Sequence, residues 1–216
     1  MRAPDFPIAL RLEGRPVLLV GAGVVAEGRA RLLVEARAHV HLVAPEAIPS
    51  LTRLAVEEAI AWSRRPYQPG DCQGAALVLA ATGDAQVNRA VAAEARALGI
   101  LVNVADAPSL CDFHLPAVAR RGPVTIAVST AGEAPALASA LRVRVQAVIG
   151  PEYGRLAHLL GRLRRITPPG PRRRAALRDL IALGAAEQIR LGDRGELWRL
   201  VRRALGARSP RKDTRS

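Results

Sequence analysis

The chain has 216 residues and a net charge of +13; half of its residues are hydrophobic, but only 3% are aromatic. It is long enough for a full core, built mainly from Leu, Val, Ile and Ala. No apolar run approaches the ~18 residues of a membrane span, Met1 to Asp5 lacks the apolar stretch of a secretory signal, and Cys72 and Cys111 form neither a disulfide framework nor a metal spacing, so a cytoplasmic protein with no protein-bound metal is expected.

The charge is unevenly spread. Residues 1–112 sum to −1 and the remainder to +14. A basic half implies an anionic partner, whether nucleic acid, acidic lipid or a polycarboxylate small molecule.

In chain order, Phe6 to Leu10 alternates and is expected as a short edge strand. Pro16 to Val20 is an apolar run of buried-strand type. It enters Gly21-Ala22-Gly23-Val24-Val25-Ala26, followed by a helical stretch with Leu32, Leu33 and Ala36 on one face. Strand, Gly-x-Gly-x-x-Ala turn and helix together are the opening of a dinucleotide-binding unit. Gly21 allows the tight turn, Gly23 lets a pyrophosphate approach the backbone, and Ala26 keeps helix and strand close. The helix start then offers unpaired N–H groups to the phosphates.

Val40 to Ala44 reads as the second strand and ends in Pro45-Glu46. An acid near this point favours NAD over NADP by accepting from a ribose hydroxyl. His39 and His41 read as exposed edge residues. A helix is expected over 49–59 with Ser50 as its cap, then a strand at Ile60–Trp62. Ala75 to Ala81 is a further strand, ending in Thr82-Gly83-Asp84 before a helix over 85–98. Thr82 is placed either to touch the cofactor or to cap that helix. Ile100 to Val104 closes the unit, followed by Asp106, a carboxylate at a strand's carboxyl end. There it serves as a general base or as a turn-forming residue before Pro108.

The composition then changes. Val124 to Val128 is a strand, Ser129-Thr130 follows, and Pro135 opens a helix to Val148 with Leu137, Leu141, Val145 and Val148 as its apolar stripe. With few local partners, this strand and helix suggest an inter-subunit contact. From 151 onward the chain reads as helices over Glu152–Ile166, from Arg172 to Gly184, and from Glu196 to Leu205. The fold class is thus α/β: an N-terminal Rossmann-like parallel sheet, a small α+β dimerisation segment and a C-terminal helical domain. The expected divisions are 1–112, 113–149, 150–208 and a disordered tail over 209–216.

Several segments together resemble the precorrin-2 dehydrogenase/sirohydrochlorin ferrochelatase family, the N-terminal module of siroheme synthase. They are Val20 to Ala26, Val43-Ala44-Pro45, Ala80 to Asp84, Asn103-Val104-Ala105-Asp106-Ala107-Pro108, Phe113-x-x-Pro116-Ala117, and Ile126 to Gly132 with Pro135 to Ala138. The resemblance covers about residues 5–150 well and the helical remainder loosely.

That resemblance implies a homodimer that oxidises precorrin-2 to sirohydrochlorin with NAD, in some members followed by Fe²⁺ insertion to give siroheme. It implies dinucleotide contacts at Val24, Val25, Pro45 and Glu46. Asp106 falls on the aspartate linked to both activities. Ser129 and Thr130 match a hydroxyl pair near the tetrapyrrole, and His114 lies where some members carry an acid/base group. Arg120, Arg121 and Arg142 are assigned to the substrate carboxylates, because a guanidinium pairs bidentately. The family's Gly-Gly-x-Ser-Pro stands here as Ala131-Gly132-Glu133-Ala134-Pro135, a change that bears on the chelatase and not on the dehydrogenase. At 216 residues there is no room for a fused methyltransferase domain, so a separate enzyme is expected to supply precorrin-2. Two other readings are a dehydrogenase served by a separate chelatase and a non-catalytic NAD-sensing module. Nucleic-acid binding would need an aromatic platform or recognition motif, and the chain has neither.

Overall fold

The computed structural model describes residues 5–206, so the expected tail over 209–216 lies outside the described residues. The chain divides into two compact units at Leu115/Pro116.

The first unit is a five-stranded parallel sheet in the order β3-β2-β1-β4-β5. Its strands are β1 (Pro16–Val20), β2 (His39–Val43), β3 (Ala61–Ser63), β4 (Leu77–Ala80) and β5 (Val102–Val104). Helices α1 (Val24–Glu35), α2 (Pro49–Val56) and α3 (Ala85–Ala97) are interleaved. Successive residues of β1 enter opposite cores. Val17 and Leu19 join Leu42, Leu79 and the α1 residues Ala26, Ala30 and Leu33. Leu18 and Val20 join Val43, Val78, Val102 and the α3 residues Val91, Ala92 and Ala95. Burial on both faces is why β1 and β4 read as continuous apolar runs and not as alternating ones.

Several expectations are corrected in this unit. Phe6 to Leu10 forms no strand, and Phe6, Ile8 and Leu10 are exposed; Pro7 lacks the N–H a ladder needs. His39 is exposed as expected and precedes the residues of β2 paired with β3, but His41 is not on an edge, because there β2 lies between β3 and β1. His41 is half-buried, with its Nε2 2.8 Å from Ser63 Oγ. Helix α2 ends at Val56, since Glu58 takes a positive φ of 56°. It is capped from Ile48 with Pro49 at its first position, not by Ser50. On α1 the buried face is Ala26, Arg29, Ala30 and Leu33, while Leu32 points outward.

The second unit opens with an antiparallel hairpin, β6 (Ala117–Arg121) and β7 (Val124–Val128), with Ala117 opposite Val128 and Arg121 opposite Val124. Strand β7 therefore has a local partner. Pro116 and the Arg120-Arg121 pair had obscured β6 in the sequence. Helix α4 (Pro135–Val148) packs on this hairpin. Helices α5 (Pro151–Ile166), α6 (Pro171–Ala182), α7 (Ala185–Leu191) and α8 (Arg194–Ala204) follow. Their core is Leu156, Leu159, Leu163, Leu180, Ala185, Leu200 and Val201. Helix α7 was not foreseen. Gly184 and Gly192 both adopt left-handed φ and bracket this seven-residue helix, too short for periodicity to reveal.

Candidate active site

The site begins where β1 ends. Gly21 has φ +97°, and a Cβ built on it would lie 2.4 Å from the Ala81 carbonyl oxygen. Only glycine allows this turn to pass so close to the end of β4. Gly23 is the N-cap of α1 and has no side-chain capping partner; a Cβ added there would meet nothing within 4 Å. The first amides of α1 are thus left for a ligand. Val24 and Val25, at the mouth of this turn, are exposed despite being apolar.

The loop after β2 carries Pro45 and Glu46, both exposed. It is tied to the glycine turn, because Ile48 N–H donates to Ala22 O over 3.2 Å. After β4, the half-buried Thr82 is committed to its own turn. Its hydroxyl lies 2.8 Å from Asn88 Oδ1 and accepts the Asp84 amide at 3.1 Å. The helix cap itself is Asp84, which accepts from the amides of Gln86 and Val87. Asn88 is buried and also donates to Thr82 O.

Asp106 follows β5, exposed, with φ +55°. A left-handed conformation is tolerated by Asp better than by most residues, but it still carries strain. The parallel order places the ends of β2, β1, β4 and β5 along one rim, so Glu46, Gly21, Gly23, Thr82 and Asp106 share that rim. Ala105 N–H donates to Ala80 O over 2.8 Å, tying the start of the Asp106 loop to β4. His114 is half-buried, 3.9 Å from Asp5 Oδ2.

Sequence reasoning missed a buried polar pair beneath this rim. Arg29 Nη1 donates to Ala80 O and Nη2 to Asn103 Oδ1, both over 2.7 Å. Asn103 Nδ2 donates to Phe113 O over 2.8 Å. Burial depresses the Arg29 guanidinium below its ordinary value, and the nearby Cys111 and Asp106 oppose that shift. The signal was present: Arg29 occupies the helix face shared by Ala26, Ala30 and Leu33, where an apolar residue belongs.

In the second unit, Ser129 and Thr130 follow β7. Ser129 Oγ accepts the Ala131 amide at 3.2 Å and Thr130 Oγ1 the Ala134 amide at 3.1 Å, closing the turn into α4. Ala131 and Gly132 have positive φ within it. Arg120 is exposed. Arg121 donates to the carbonyls of Ile149, Gln146 and Arg120, so it braces the end of α4. Arg142 is half-buried and donates to Gln146 Oε1 over 2.6 Å.

A glycine turn with no Cβ to bar a phosphate pair, a helix start with no side-chain cap and a carboxylate on the same rim define a dinucleotide-binding protein. The residues fit that group: the Cβ-free cradle at Gly21 and the open approach at Gly23 would hold the pyrophosphate. The family model described as putative NAD(P)-binding matches residues 8–117, and the chain belongs to that family. A second model, sirohaem biosynthesis protein central, matches residues 121–147.

The chain is 41% identical over 210 residues to the siroheme synthase of Ectopseudomonas mendocina, covering 95% of this chain and 45% of the relative. It is 39% identical to the siroheme synthase of Methylobacillus flagellatus, covering 94% of this chain and 44% of that one. The chain thus spans less than half the length of these curated relatives. Its fold matches the solved structure of SirC, a precorrin-2 dehydrogenase, with a TM-score of 0.74 at 23% identity, covering 93% of this chain and 98% of the other. Among the described residues no helix is long and apolar enough to cross a membrane.

Proposed function

We propose that this chain oxidises precorrin-2 to sirohydrochlorin with NAD⁺ as the hydride acceptor, in the cytoplasm. The observation that carries this reading is Asp106, a carboxylate in left-handed conformation on the rim shared with the glycine turn. Bound NAD⁺ supplies an acceptor for hydride at its nicotinamide C4. Asp106 takes the proton released from the macrocycle, as a general base. Glu46 would accept from the adenosine ribose, and the amides of Val24 and Val25 would hold the pyrophosphate.

Precorrin-2 is a polycarboxylate, and the basic second half of the chain offers it a complementary field. Within the second unit, Arg120 and Arg142 are assigned to its carboxylates and Ser129 and Thr130 to the macrocycle, with Arg121 bracing the helix that carries Arg142; within the first unit, His114 is assigned to the substrate by its place in the family pattern. The active form is a homodimer. Leu137, Leu141 and Val148 lie exposed on α4 although they form its apolar stripe, and such a face is typically covered by a second subunit.

The test is an anaerobic assay with precorrin-2 and NAD⁺, followed by Fe²⁺ as a second substrate. NADH formation stoichiometric with sirohydrochlorin is expected; its absence overturns the reading. Siroheme formed on adding Fe²⁺ assigns ferrochelation to the same chain. Sirohydrochlorin that accumulates unmetallated assigns that step to a separate chelatase.

A further inference from the structure

Among the described residues, only three polar side chains are buried, Arg29, Asn88 and Asn103. All three serve the same rim. Asn88 holds Thr82, and Arg29 bonds to Asn103 and to the end of β4. The rest of the interior is apolar, so placing a guanidinium here carries a desolvation cost that a structural role alone would not need.

We infer that Arg29 is the positioning residue for Asp106, anchoring through Ala80 and Asn103 both ends of the loop that carries it. This rests on the reading of Asp106 as the proton acceptor. Ala80 O accepts from Arg29 Nη1 at 2.7 Å and from Ala105 N–H at 2.8 Å, so the guanidinium holds the carbonyl on which the residue before Asp106 is hung. Asn103 takes the second guanidinium bond and passes it on to Phe113 O, at the far end of the loop. Between these grips, Cys111 Sγ accepts the Val104 amide at 3.2 Å and lies 3.1 Å from Val104 O. Asp112 N–H donates to Val102 O over 2.9 Å.

The strained φ of Asp106 persists only if its surroundings over-determine it. The clamp supplies that constraint from α1, through a buried side chain, while Asp106 itself is exposed. Arginine is suited to the task because its rigid planar fork presents separate N–H groups to acceptors on two strands at once, whereas a lysine must serve both from a single nitrogen. Arg29 makes no ion pair with a carboxylate among the described residues; its hydrogen-bond acceptors are neutral.

The experiment compares the full chain with Arg29→Met and Arg29→Lys by hydrogen exchange, NAD⁺ affinity and steady-state kinetics. In Arg29→Met, the amides of Ala105 and Asp112 are expected to exchange at least about tenfold faster, while those of β1 and β2 keep their rates. The kcat for precorrin-2 oxidation falls by about tenfold or more at unchanged NAD⁺ affinity. Arg29→Lys, which keeps the charge but not the fork, recovers part of both effects and serves as the readout should Arg29→Met fail to fold. Wild-type exchange at Ala105 and Asp112 in a folded variant overturns the proposal, as does a uniform acceleration across the sheet. The exchange result does not depend on turnover. If the wild-type chain fails to oxidise precorrin-2, the reading of Asp106 fails separately, and with it the catalytic purpose of the clamp.

Discussion

Gly21 and the Ala81 carbonyl oxygen approach so closely that a Cβ on Gly21 would stand 2.4 Å from that oxygen. The obstacle is backbone, which cannot rotate away as a side chain can. Gly21→Ala is therefore expected to destabilise the chain by about 2 kcal/mol or more and to abolish dinucleotide binding. Gly23 contrasts with it, because a Cβ there meets nothing within 4 Å. Gly23→Ala should leave the melting temperature unchanged and weaken NAD⁺ by about tenfold or more, since the added methyl stands where the pyrophosphate must come. Thermal unfolding and calorimetric titration of the two variants separate the turn's structural demand from its ligand demand.

Asp106 allows a cleaner separation of conformation from chemistry. Asn tolerates the left-handed region about as well as Asp. Asp106→Asn should keep the wild-type fold and NAD⁺ affinity while precorrin-2 oxidation falls by about 10²-fold or more. Asp106→Ala should lose similar activity and, in addition, about 1 kcal/mol of stability from strain at φ +55°. An Asn variant that retains most of its activity removes Asp106 from the chemistry.

Glu94 on α3 gives the unit a pH-dependent fastening. It accepts the Gly70 and Cys72 amides, each at 3.0 Å, and the Tyr67 hydroxyl. Burial pushes its carboxyl upward, but these donors outweigh burial and hold it below the usual carboxylate range. A depressed native value adds stability that is present above the unfolded value, about 4.3, and that is lost as pH falls through the native one. Glu94→Gln should cost about 1 kcal/mol at neutral pH, allowing for solvent screening, and should flatten the acid limb of the stability curve below about pH 4.3. Denaturant titrations at stepped pH measure both.

Within the same loop, burial raises the Cys72 thiol to about 11. Cys72 is also fully enclosed. It should resist alkylation in the native chain at neutral pH and react only on unfolding. A Cys111→Ser variant that still takes up thiol reagent at native stability would contradict this.

Helix α5 contains two glycines with opposite expected behaviour. A Cβ on Gly154 would lie 2.5 Å from Arg121 O, because the β6–β7 hairpin packs against the helix there. A Cβ on Gly161 would meet only the tip of Arg165, at 3.9 Å. Gly161→Ala should raise stability by about 0.5–1 kcal/mol through helix propensity. Gly154→Ala should lower it despite the same propensity gain. Melting temperatures of the two variants settle the contrast.

Much of the site was legible because its chemistry is local in sequence. Gly21, Gly23 and Ala26 lie within one turn, and their spacing states the demand for close backbone approach. Asp106 was legible as a carboxylate just past an apolar strand. Thr82 left two roles open, and its bonds to Asn88 and Asp84 show how its hydroxyl is used in the turn. Arg121 was read as a substrate contact from its charge, yet its guanidinium is occupied by the carbonyls that end α4. No pattern of types and spacings reports which acceptors fold back onto a given arginine.

By itself, the sequence determined the parallel βαβ order, the phosphate turn, the strand ends that carry Glu46 and Asp106, and the basic second half. These follow from period, glycine placement and charge, all properties of neighbouring residues. Only the tertiary structure decided that β2 is interior, that Arg29 is buried, and that Asn103, 74 residues away, receives it. The physical reason is that a buried cation is tolerable only where distant backbone and side-chain acceptors converge on it. Such convergence is a property of the packed sheet, which the linear order of residues does not encode in any short window.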